Sequence, residues 1–239
     1  LPLYDLTELQ RHANRLFGFS AQKTLDLAQV LYERHKLLSY PRTDSRYLSQ
    51  DVVATLPGIV KAIEAPYRDH LAPRTGECQL GRRFIDDAKV TDHHAIIPTA
   101  TSPSKAALSV DERKIYDLIC RRLLGAWHDD YIWSVTTVIT SIANSDIIDR
   151  YHTSGTTVEQ AGWKVLERPA EKSTRKASAG VEDQRSAEIL PPDLQKGQLQ
   201  RVVEIDAVKK STRPPRRFTE ATLLTAMETA GKTLEEKEL

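Results

Sequence analysis

Residues 37–48 of the chain read Leu37-Leu38-Ser39-Tyr40-Pro41-Arg42-Thr43-Asp44-Ser45-Arg46-Tyr47-Leu48. A residue that precedes proline is disfavoured in the α region, so Tyr40 is predicted at a strand end or in a turn rather than inside a helix. Side chains two residues apart in extended backbone point the same way, which predicts Arg42 beside the Tyr40 hydroxyl. A cation beside a phenol favours the phenolate and can hold a phosphate, so the pair is a candidate nucleophile with its charge partner. The alternative is a surface turn with a packed tyrosine and solvated charges.

The composition limits the classes of protein to which the chain can belong. Its 239 residues are 40% hydrophobic, which is enough for one large or two modest domains and excludes a disordered protein. The formal net charge of +1 means that nucleic-acid binding must rest on local clusters of charge. The two cysteines, Cys78 and Cys120, form no CxxC pair, which argues against a zinc ribbon and fits a reducing compartment. No apolar run approaches the roughly 18 to 20 residues of a membrane span.

The first part of the chain carries mostly helical patterns. A capping arrangement at Asp5 precedes apolar residues at helical spacing, Gly18 ends this first helix, and Ser20 begins a second one that leads to Tyr40. Residues 111–126 are predicted as a further amphipathic helix with a basic face. Two short helices followed by an extended segment predict a helix-turn-helix-like or winged-helix fold, and a small helical bundle is the alternative.

The pattern changes near residue 131, where β-branched and aromatic residues become dense. The predicted strands are residues 131–140, 147–153, 156–166 and 198–208. Residues 167–180 are predicted as a mobile hairpin excursion, and a final helix begins near Thr219. The sequence therefore predicts an α+β multidomain protein, with a helical domain over 1–133 and a separate strand domain over 134–212.

Two further groups of residues carry candidate chemistry. His93 and His94 are adjacent and lack the spacing of a metal motif, but a histidine can donate to a phosphate or carry a proton near neutral pH. Residues 209–217 contain five cations ahead of a helix N-terminus, where backbone amides and the helix dipole add to the side-chain charge. This second group predicts a phosphate site. The alternatives are a capped loop for the histidines and a basic linker for the cations.

Four stretches match a known pattern, in the same order along the chain. They are Leu3-Tyr4-Asp5-Leu6-Thr7-Glu8-Leu9-Gln10 through Phe17-Gly18-Phe19-Ser20-Ala21, then Leu38-Ser39-Tyr40-Pro41-Arg42-Thr43-Asp44-Ser45-Arg46-Tyr47-Leu48, His93-His94-Ala95-Ile96-Ile97-Pro98-Thr99, and Pro214-Pro215-Arg216-Arg217-Phe218-Thr219-Glu220-Ala221-Thr222-Leu223-Leu224. Together they resemble the type IA DNA topoisomerases, especially the topoisomerase III branch. Four collinear matches are far more specific than any single motif.

The resemblance implies a fold and an activity. It implies a helical, winged-helix-like (CAP-like) catalytic domain that bears Tyr40, joined to the β-rich arch domain of the type IA torus. The start of a further helical DNA-gate domain, truncated, is expected over 213–239. The deprotonated Tyr40 oxygen would attack single-stranded DNA and leave a 5′-phosphotyrosyl enzyme with a free 3′-hydroxyl. Strand passage and religation would then relax or decatenate DNA. Because one high-energy bond replaces another, no ATP is expected, and the chain has no phosphate-loop motif.

The resemblance also implies the site residues. Tyr40, Arg42 and His93 are expected to be catalytic: Arg42 would stabilise charge on the phosphoryl oxygens, and His93 would lie near the DNA at the cleavage site. The expected DNA contacts are Thr43, Asp44, Ser45, Arg46, His94, Arg217 and Thr219. No metal ligand is expected in this chain.

Members of this family also need magnesium, which an acidic Toprim domain with a D-x-D-x-E pattern binds. This chain has no D-x-D-x-E pattern, so it resembles a central fragment without that domain. We expect such a fragment to bind single-stranded DNA weakly, to hold no cofactor itself and to be unable to complete efficient cleavage and religation. A bacterial, cytoplasmic, DNA-associated protein with no membrane contact is expected. The main alternative is a non-catalytic single-stranded DNA-binding module in which Tyr40 stacks on a base.

Overall fold

The computed structural model describes residues 1–144, 146–167, 190, 194–212 and 214–235. In these residues the α-helices are α1 (Leu6–Phe17), α2 (Ala21–Glu33), α3 (Gln50–Val53), α4 (Leu56–Ile63), α5 (Val110–Leu124) and α6 (Glu220–Glu235). The strands are β1 (Ile132–Asn144) and β2 (Ile147–Gln160). Short 3₁₀ helices lie at Ala65–His70, Asp87–Lys89, Pro103–Lys105, Gly125–Trp127 and Gly162–Leu166. The protein is therefore α+β, as predicted.

The described residues form two compact units. The first unit holds residues 1–130, 162–167 and 218–235, and it contains the helices α1 to α6. The second unit holds residues 131–161 and the described residues from 190 to 217, and it contains β1 and β2. The helical and β patterns of the sequence thus fall into different units.

Local signals begin and end the first two helices. The Asp5 carboxylate caps α1 by accepting from the Glu8 amide at 2.6 Å, and Gly18 ends the helix with a φ of 66°. Glycine suits this left-handed conformation because it has no Cβ. Ser20 then caps α2 by accepting from the Lys23 amide at 3.1 Å. Both predicted helices are confirmed, and α2 leads directly to the Tyr40 stretch.

The core of the first unit is built around α5, which packs against α2. A capping box begins α5: the Ser109 side chain accepts from the Glu112 amide, and the Glu112 carboxylate accepts from the Ser109 amide. The buried residues of α5 are Ile115, Tyr116, Leu118, Ile119, Cys120, Leu123 and Leu124. Burial of these side chains is the main favourable contribution to the stability of the unit.

A buried polar cluster joins the N-terminal segment to α1 and α5. The Tyr4 hydroxyl hydrogen-bonds to His12 Nδ1, and the Arg122 guanidinium lies 3.9 Å from the Tyr4 ring centroid. Burial, and secondarily the Arg122 charge, lowers the pKa of His12 to about 4, while burial raises the pKa of Tyr4 to about 12. Both groups are therefore neutral near pH 7. The Tyr4 carbonyl also accepts from the Ile96 amide at 2.8 Å, which anchors the stretch around His93.

The second unit is organised by a two-stranded antiparallel ribbon. β1 pairs with β2 along its whole length, with a bulge between Ile132 and Trp133. Many apolar side chains of the ribbon are exposed, including Ile139 at 58% and Ile148 at 60%. The ribbon is therefore stabilised by backbone pairing and by the preference of β-branched residues for strands more than by side-chain burial.

The strand predictions after residue 146 need correction. Residues 147–153 and 156–166 were predicted as two strands, but β2 is a single strand that ends at Gln160. Gly162 then has a φ of 47°, and a Cβ there would lie 2.4 Å from two backbone carbonyl oxygens, so the chain bends into a 3₁₀ helix. Residues 198–208 form no strand, because no apolar surface covers their side chains: Leu199 is 96% exposed. The excursion predicted at 167–180 lies, apart from its first residue, outside the described residues.

Candidate active site around Tyr40

The turn after α2 directs the chain into residues 37–48, the Tyr40 segment. Lys36 adopts left-handed backbone with a φ of 56°, and the Leu37 amide returns to the Leu31 carbonyl at 2.9 Å. A single left-handed residue ends a helix and allows the following residues to extend. The Tyr40 segment therefore starts as extended backbone, anchored by the buried side chains of Leu37 and Leu38.

Residues 93–99, the His93 segment, lie alongside this extended backbone and form a short antiparallel bridge with it. The Ser39 amide donates to the Ile97 carbonyl at 2.9 Å. The Ser39 hydroxyl adds two bonds, since it donates to the Ala95 carbonyl at 3.2 Å and accepts from the Ile97 amide at 2.9 Å. The residue directly before Tyr40 thus fastens two segments that are distant in the sequence.

Side chains along the Tyr40 segment alternate between the core and the surface. The buried ones are Pro41, Thr43 and Ser45, and the exposed ones are Arg42 and Asp44. A period of two residues is the signature of extended backbone, so the prediction that Tyr40 lies outside a helix is confirmed. Arg42 therefore projects toward the same outer side as Tyr40.

The Tyr40 ring is half-buried between two other rings. Its centroid lies 4.3 Å from the His93 ring and 5.5 Å from the ring of Tyr32 on α2, which it meets edge-on. Among the residues that the structure describes, no group hydrogen-bonds to the Tyr40 hydroxyl. The ring is thus held by its neighbours, while the hydroxyl is available to a substrate.

Helix α2 orients the Arg42 guanidinium. Its Nη2 donates to Gln29 Oε1 at 3.2 Å. Gln29 lies three residues before Tyr32, so both side chains project from one face of α2. The same helix face therefore contacts Arg42 through one residue and Tyr40 through the other.

Thr43 and Ser45 use their hydroxyls within the chain. The Thr43 hydroxyl donates to the His93 carbonyl at 2.8 Å and accepts from the Ser45 amide at 3.1 Å. The Ser45 hydroxyl donates to the Lys89 carbonyl at 2.8 Å and accepts from the Tyr47 amide at 3.1 Å. These bonds hold the backbone that follows Tyr40 against the His93 segment. DNA contacts by Thr43 and Ser45 stay predictions.

The other two predicted contacts of this segment, Asp44 and Arg46, also have partners. Asp44 accepts from the Thr91 hydroxyl at 3.3 Å. Arg46 is partly buried, and its Nε donates to the Asp5 carboxylate at 2.5 Å, with Glu8 3.9 Å from its Nη2. The Arg46 charge thus ties the Tyr40 segment to the start of α1.

Replacement of Asp5 tests the contribution of its ion pair with Arg46 to stability. Asp5→Ala is expected to lower the free energy of unfolding by about 2 kcal/mol, because it removes both the α1 cap and the charged partner of Arg46. Asp5→Asn keeps an acceptor for the cap and should cost about half as much. Urea denaturation followed by circular dichroism measures both variants. Equal losses would contradict the expectation, since they would show that the cap adds nothing to the pairing with Arg46.

Two further groups lie beside the Tyr40 and His93 segments. His94 is half-buried, with Nδ1 2.8 Å from the Ala95 carbonyl oxygen. Lys89 Nζ donates to the Tyr47 hydroxyl at 3.2 Å, and this hydrogen bond raises the pKa of Lys89. Lys89, which also pairs with Asp86 at 3.4 Å, is therefore a cation close to the Tyr40 segment, and no local pattern in the sequence singles it out.

The last two predicted DNA contacts follow the strand unit in the sequence. Thr219 belongs to the first unit, where its hydroxyl caps α6 by accepting from the Thr222 amide at 3.2 Å. Arg217 belongs to the second unit and is exposed. DNA binding by both residues stays a prediction.

Sequence reasoning missed the residues that hold Tyr40 in place. Helical spacing marks Tyr32 only as a core residue of α2, and Ser39 carries no motif of its own. A usable signal did exist, because Gln29 and Tyr32 lie three residues apart on the helix that directly precedes the Tyr40 segment.

In the described ranges, no three His, Cys, Asp or Glu side chains lie close enough together to hold a metal ion. The described side chains therefore do not fit the magnesium ion that the resemblance implies. As for membranes, none of the helices described above is long and apolar enough to cross one.

The sequence of the chain matches a known protein family and several curated relatives. Residues 1–231 match the family described as DNA topoisomerase. DNA topoisomerase 3 of Bacillus licheniformis is 42% identical over 229 residues, which are 95% of this chain and 30% of that protein. DNA topoisomerase 3 of Bacillus subtilis is 42% identical over 228 residues, with the same shares of the two chains. This chain thus spans about a third of the length of these curated relatives.

A solved structure agrees in fold. Full-length topoisomerase I from Thermotoga maritima superimposes with a TM-score of 0.56 at 23% sequence identity. The match covers 95% of this chain and 34% of that one. From the family match over residues 1–231 and these relatives, the chain belongs to the type IA DNA topoisomerases, on the topoisomerase III branch.

Proposed function

We propose that this chain supplies the nucleophile of a type IA topoisomerase reaction, in which one DNA strand is cut, another strand is passed through the break and the cut is resealed. The substrate is single-stranded DNA, and the full-length enzyme is a DNA isomerase. Because the chain spans 30% of its curated relatives, we assign to it the tyrosine-bearing part of the reaction and not the whole catalytic cycle.

One observation carries the proposal: a phenol whose ring is fixed and whose hydroxyl is unbonded within the described residues. Tyr40 packs between His93 and Tyr32, and Arg42 projects to the same outer side. A nucleophile needs this combination, since its ring must be oriented while its reacting atom stays accessible.

The chemistry is a transesterification. The Tyr40 hydroxyl gives up its proton, and its oxygen attacks the phosphorus of a phosphodiester. The bond from phosphorus to the 3′-oxygen breaks, that oxygen leaves as a 3′-hydroxyl after taking up a proton, and the DNA 5′-phosphate stays on Tyr40. Resealing is the reverse attack by the 3′-oxygen, so no nucleotide is consumed. Arg42 stabilises the charge on the phosphoryl oxygens, and His93 contacts the same phosphate.

Magnesium belongs to the full-length enzyme in this proposal, through the Toprim domain. The described residues offer no ligand set for it, so no step here is assigned to a metal in this chain. The proposal gives this chain the positioning and the covalent chemistry of the tyrosine.

The domain roles are proposed from the arrangement of helices and strands. Residues 1–133 are the winged-helix-like catalytic domain, residues 134–212 the arch domain, and residues 213–239 the start of a helical DNA-gate domain. The separation of a helical unit from a unit with a β-ribbon supports the boundary between the first two domains, while residues 162–167 and 218–235 belong to the helical unit. We place the protein in the bacterial cytoplasm, in association with DNA.

A non-catalytic DNA-binding module is the second candidate function. The exposed His93 ring beside Tyr40 favours it, because two adjacent rings make a stacking platform for bases. In that case the arginines bind phosphates and Tyr40 forms no covalent bond.

Covalent trapping separates the two candidates. The chain is placed in a chimera, where it replaces the matching 228 residues of Bacillus subtilis DNA topoisomerase 3, and the chimera is mixed with end-labelled single-stranded DNA and magnesium. After denaturation, the 3′-end label should remain on the protein and the 5′-end label should be released, with the adduct on Tyr40 by mass spectrometry. DNA binding without any adduct would favour the stacking module instead.

A further inference from the structure

Lys36 occupies a backbone position that does not suit a lysine. Its φ of 56° is left-handed, a conformation that side chains with a Cβ rarely adopt. Glycine is the usual residue where a helix ends in this way. A lysine at this position therefore carries a conformational cost that glycine would avoid, and such costs cluster at functional sites.

The fold uses the backbone of Lys36, and the ammonium group meets only the ring of Tyr32 among the described groups. The carbonyl accepts from the Thr99 hydroxyl at 2.6 Å, which helps to fasten the His93 segment. The side chain is exposed, and no carboxylate of the described part of the chain lies within ion-pair distance of its Nζ. Any residue would provide the carbonyl, and a cation 5.8 Å from a ring centroid contributes little to stability, so the fold gains little from the ammonium group.

The position of the ammonium group points to the proposed nucleophile. Lys36 Nζ lies 5.8 Å from the ring centroid of Tyr32, and Tyr32 is the residue that meets Tyr40 edge-on. Three contacts follow one another along α2 and past its end. Arg42 donates to Gln29, Tyr40 meets the ring of Tyr32, and Lys36 lies beyond Tyr32. A cation thus stands on each side of the phenol along the helix axis.

We propose that Lys36 binds the backbone phosphate next to the one that Tyr40 attacks, and so holds single-stranded DNA across the Tyr32–Tyr40 pair. This inference rests on the proposed function, since it takes Tyr40 as the point of cleavage. Lys36 is a substrate-binding residue in this arrangement, while Arg42 acts on the reacting phosphate itself. A flexible ammonium group suits a phosphate that is held as a point charge and not attacked.

Lys36→Gly separates the functional role from the structural one, because the two predict opposite changes. Removing the left-handed side chain should raise the melting temperature of the chain by about 2–4 °C. Removing the cation should weaken binding of a fluorescein-labelled oligothymidylate about fivefold at low salt. The slope of log affinity against log salt should fall by about 0.7, the value for one phosphate contact on a single strand.

Arg74→Gly is the matched control. Arg74 is the other described non-glycine residue with a left-handed φ, 61°, and it lies in the loop that follows the 3₁₀ helix Ala65–His70. The substitution removes the same charge and relieves the same type of backbone conformation. It should raise the melting temperature similarly and leave the salt slope unchanged.

The outcomes distinguish this inference from the proposed function. Equal salt slopes for the two variants, or a lower melting temperature for Lys36→Gly, would overturn the role of Lys36, even if the chimera forms a Tyr40 adduct. A reduced slope for Lys36→Gly alone, without any adduct in the chimera, would support Lys36 as a DNA contact and count against the nucleophile. No binding of the oligothymidylate at low salt would overturn the inference.

Discussion

Tyr40→Phe is expected to abolish covalent capture of DNA, a loss of roughly 10⁴-fold or more, while DNA affinity and stability stay near those of the wild type. The substitution removes only the hydroxyl. No described group hydrogen-bonds to that hydroxyl, so its loss leaves no buried polar atom without a partner. The ring contacts with Tyr32 and His93 do not involve the hydroxyl and should persist. The measurement is the adduct yield of the chimera, with oligonucleotide affinity and melting temperature determined in parallel.

Tyr151→Phe is the control for this substitution. Tyr151 lies exposed on β2, in the second unit, and its change removes the same atom from a different place. It should form the adduct at the wild-type level. An adduct that survives in Tyr40→Phe would move the nucleophile to another residue, and a loss of DNA affinity in that variant would show that the hydroxyl serves binding.

The sequence predicts the local structure of the site well. The proline after Tyr40 and the polar residues behind it predict extended backbone, and the alternation of buried Pro41 and Thr43 with exposed Arg42 agrees with this. The caps of α1 and α2 are also readable, because side chain and amide lie only three residues apart. These signals depend only on residues a few positions apart, so they predict local structure without knowledge of the rest of the fold.

Long-range contacts were not predictable in the same way. The sequence marks His93 as candidate chemistry, but it does not say that Ser39 and Thr43 fasten the His93 segment to the Tyr40 segment. Such pairing depends on how α2 and the core orient the two stretches. Lys36 illustrates a second limit: its left-handed backbone is imposed by the surrounding fold, and glycine, the usual signal, is absent.

The β-rich part shows where residue preference misleads. Residues 198–208 contain the β-branched residues Val202, Val203, Ile205 and Val208, which favour a strand, yet Val203 is 93% exposed and no strand forms there. β-branched residues lead to a strand only where a partner strand or a surface is present for them to pack against. β1 and β2 form because each is the other's backbone partner.

Arg42→Ala is expected to slow DNA cleavage by the chimera by about 10²- to 10³-fold, the usual cost of losing one group that stabilises transition-state charge. Arg42 is exposed and donates to Gln29, so its removal should change the melting temperature little. The affinity for uncleaved DNA should fall only a few-fold, because many phosphates share the ground-state charge interaction. Single-turnover cleavage of labelled DNA gives the rate, and equilibrium binding gives the affinity.

Two variants sharpen this test. Arg42→Lys keeps a positive charge but loses the planar fork that can bind two phosphoryl oxygens, so its rate should lie between those of wild type and Arg42→Ala. Arg68→Ala removes a guanidinium that is 72% exposed and paired only loosely with Glu64 at 3.6 Å, and it should cleave at the wild-type rate. If Arg42→Ala cleaved as fast as Arg68→Ala, the charge on the transferring phosphoryl group would have to be stabilised by another residue. His93 would then be the first to examine, because its exposed ring lies beside Tyr40.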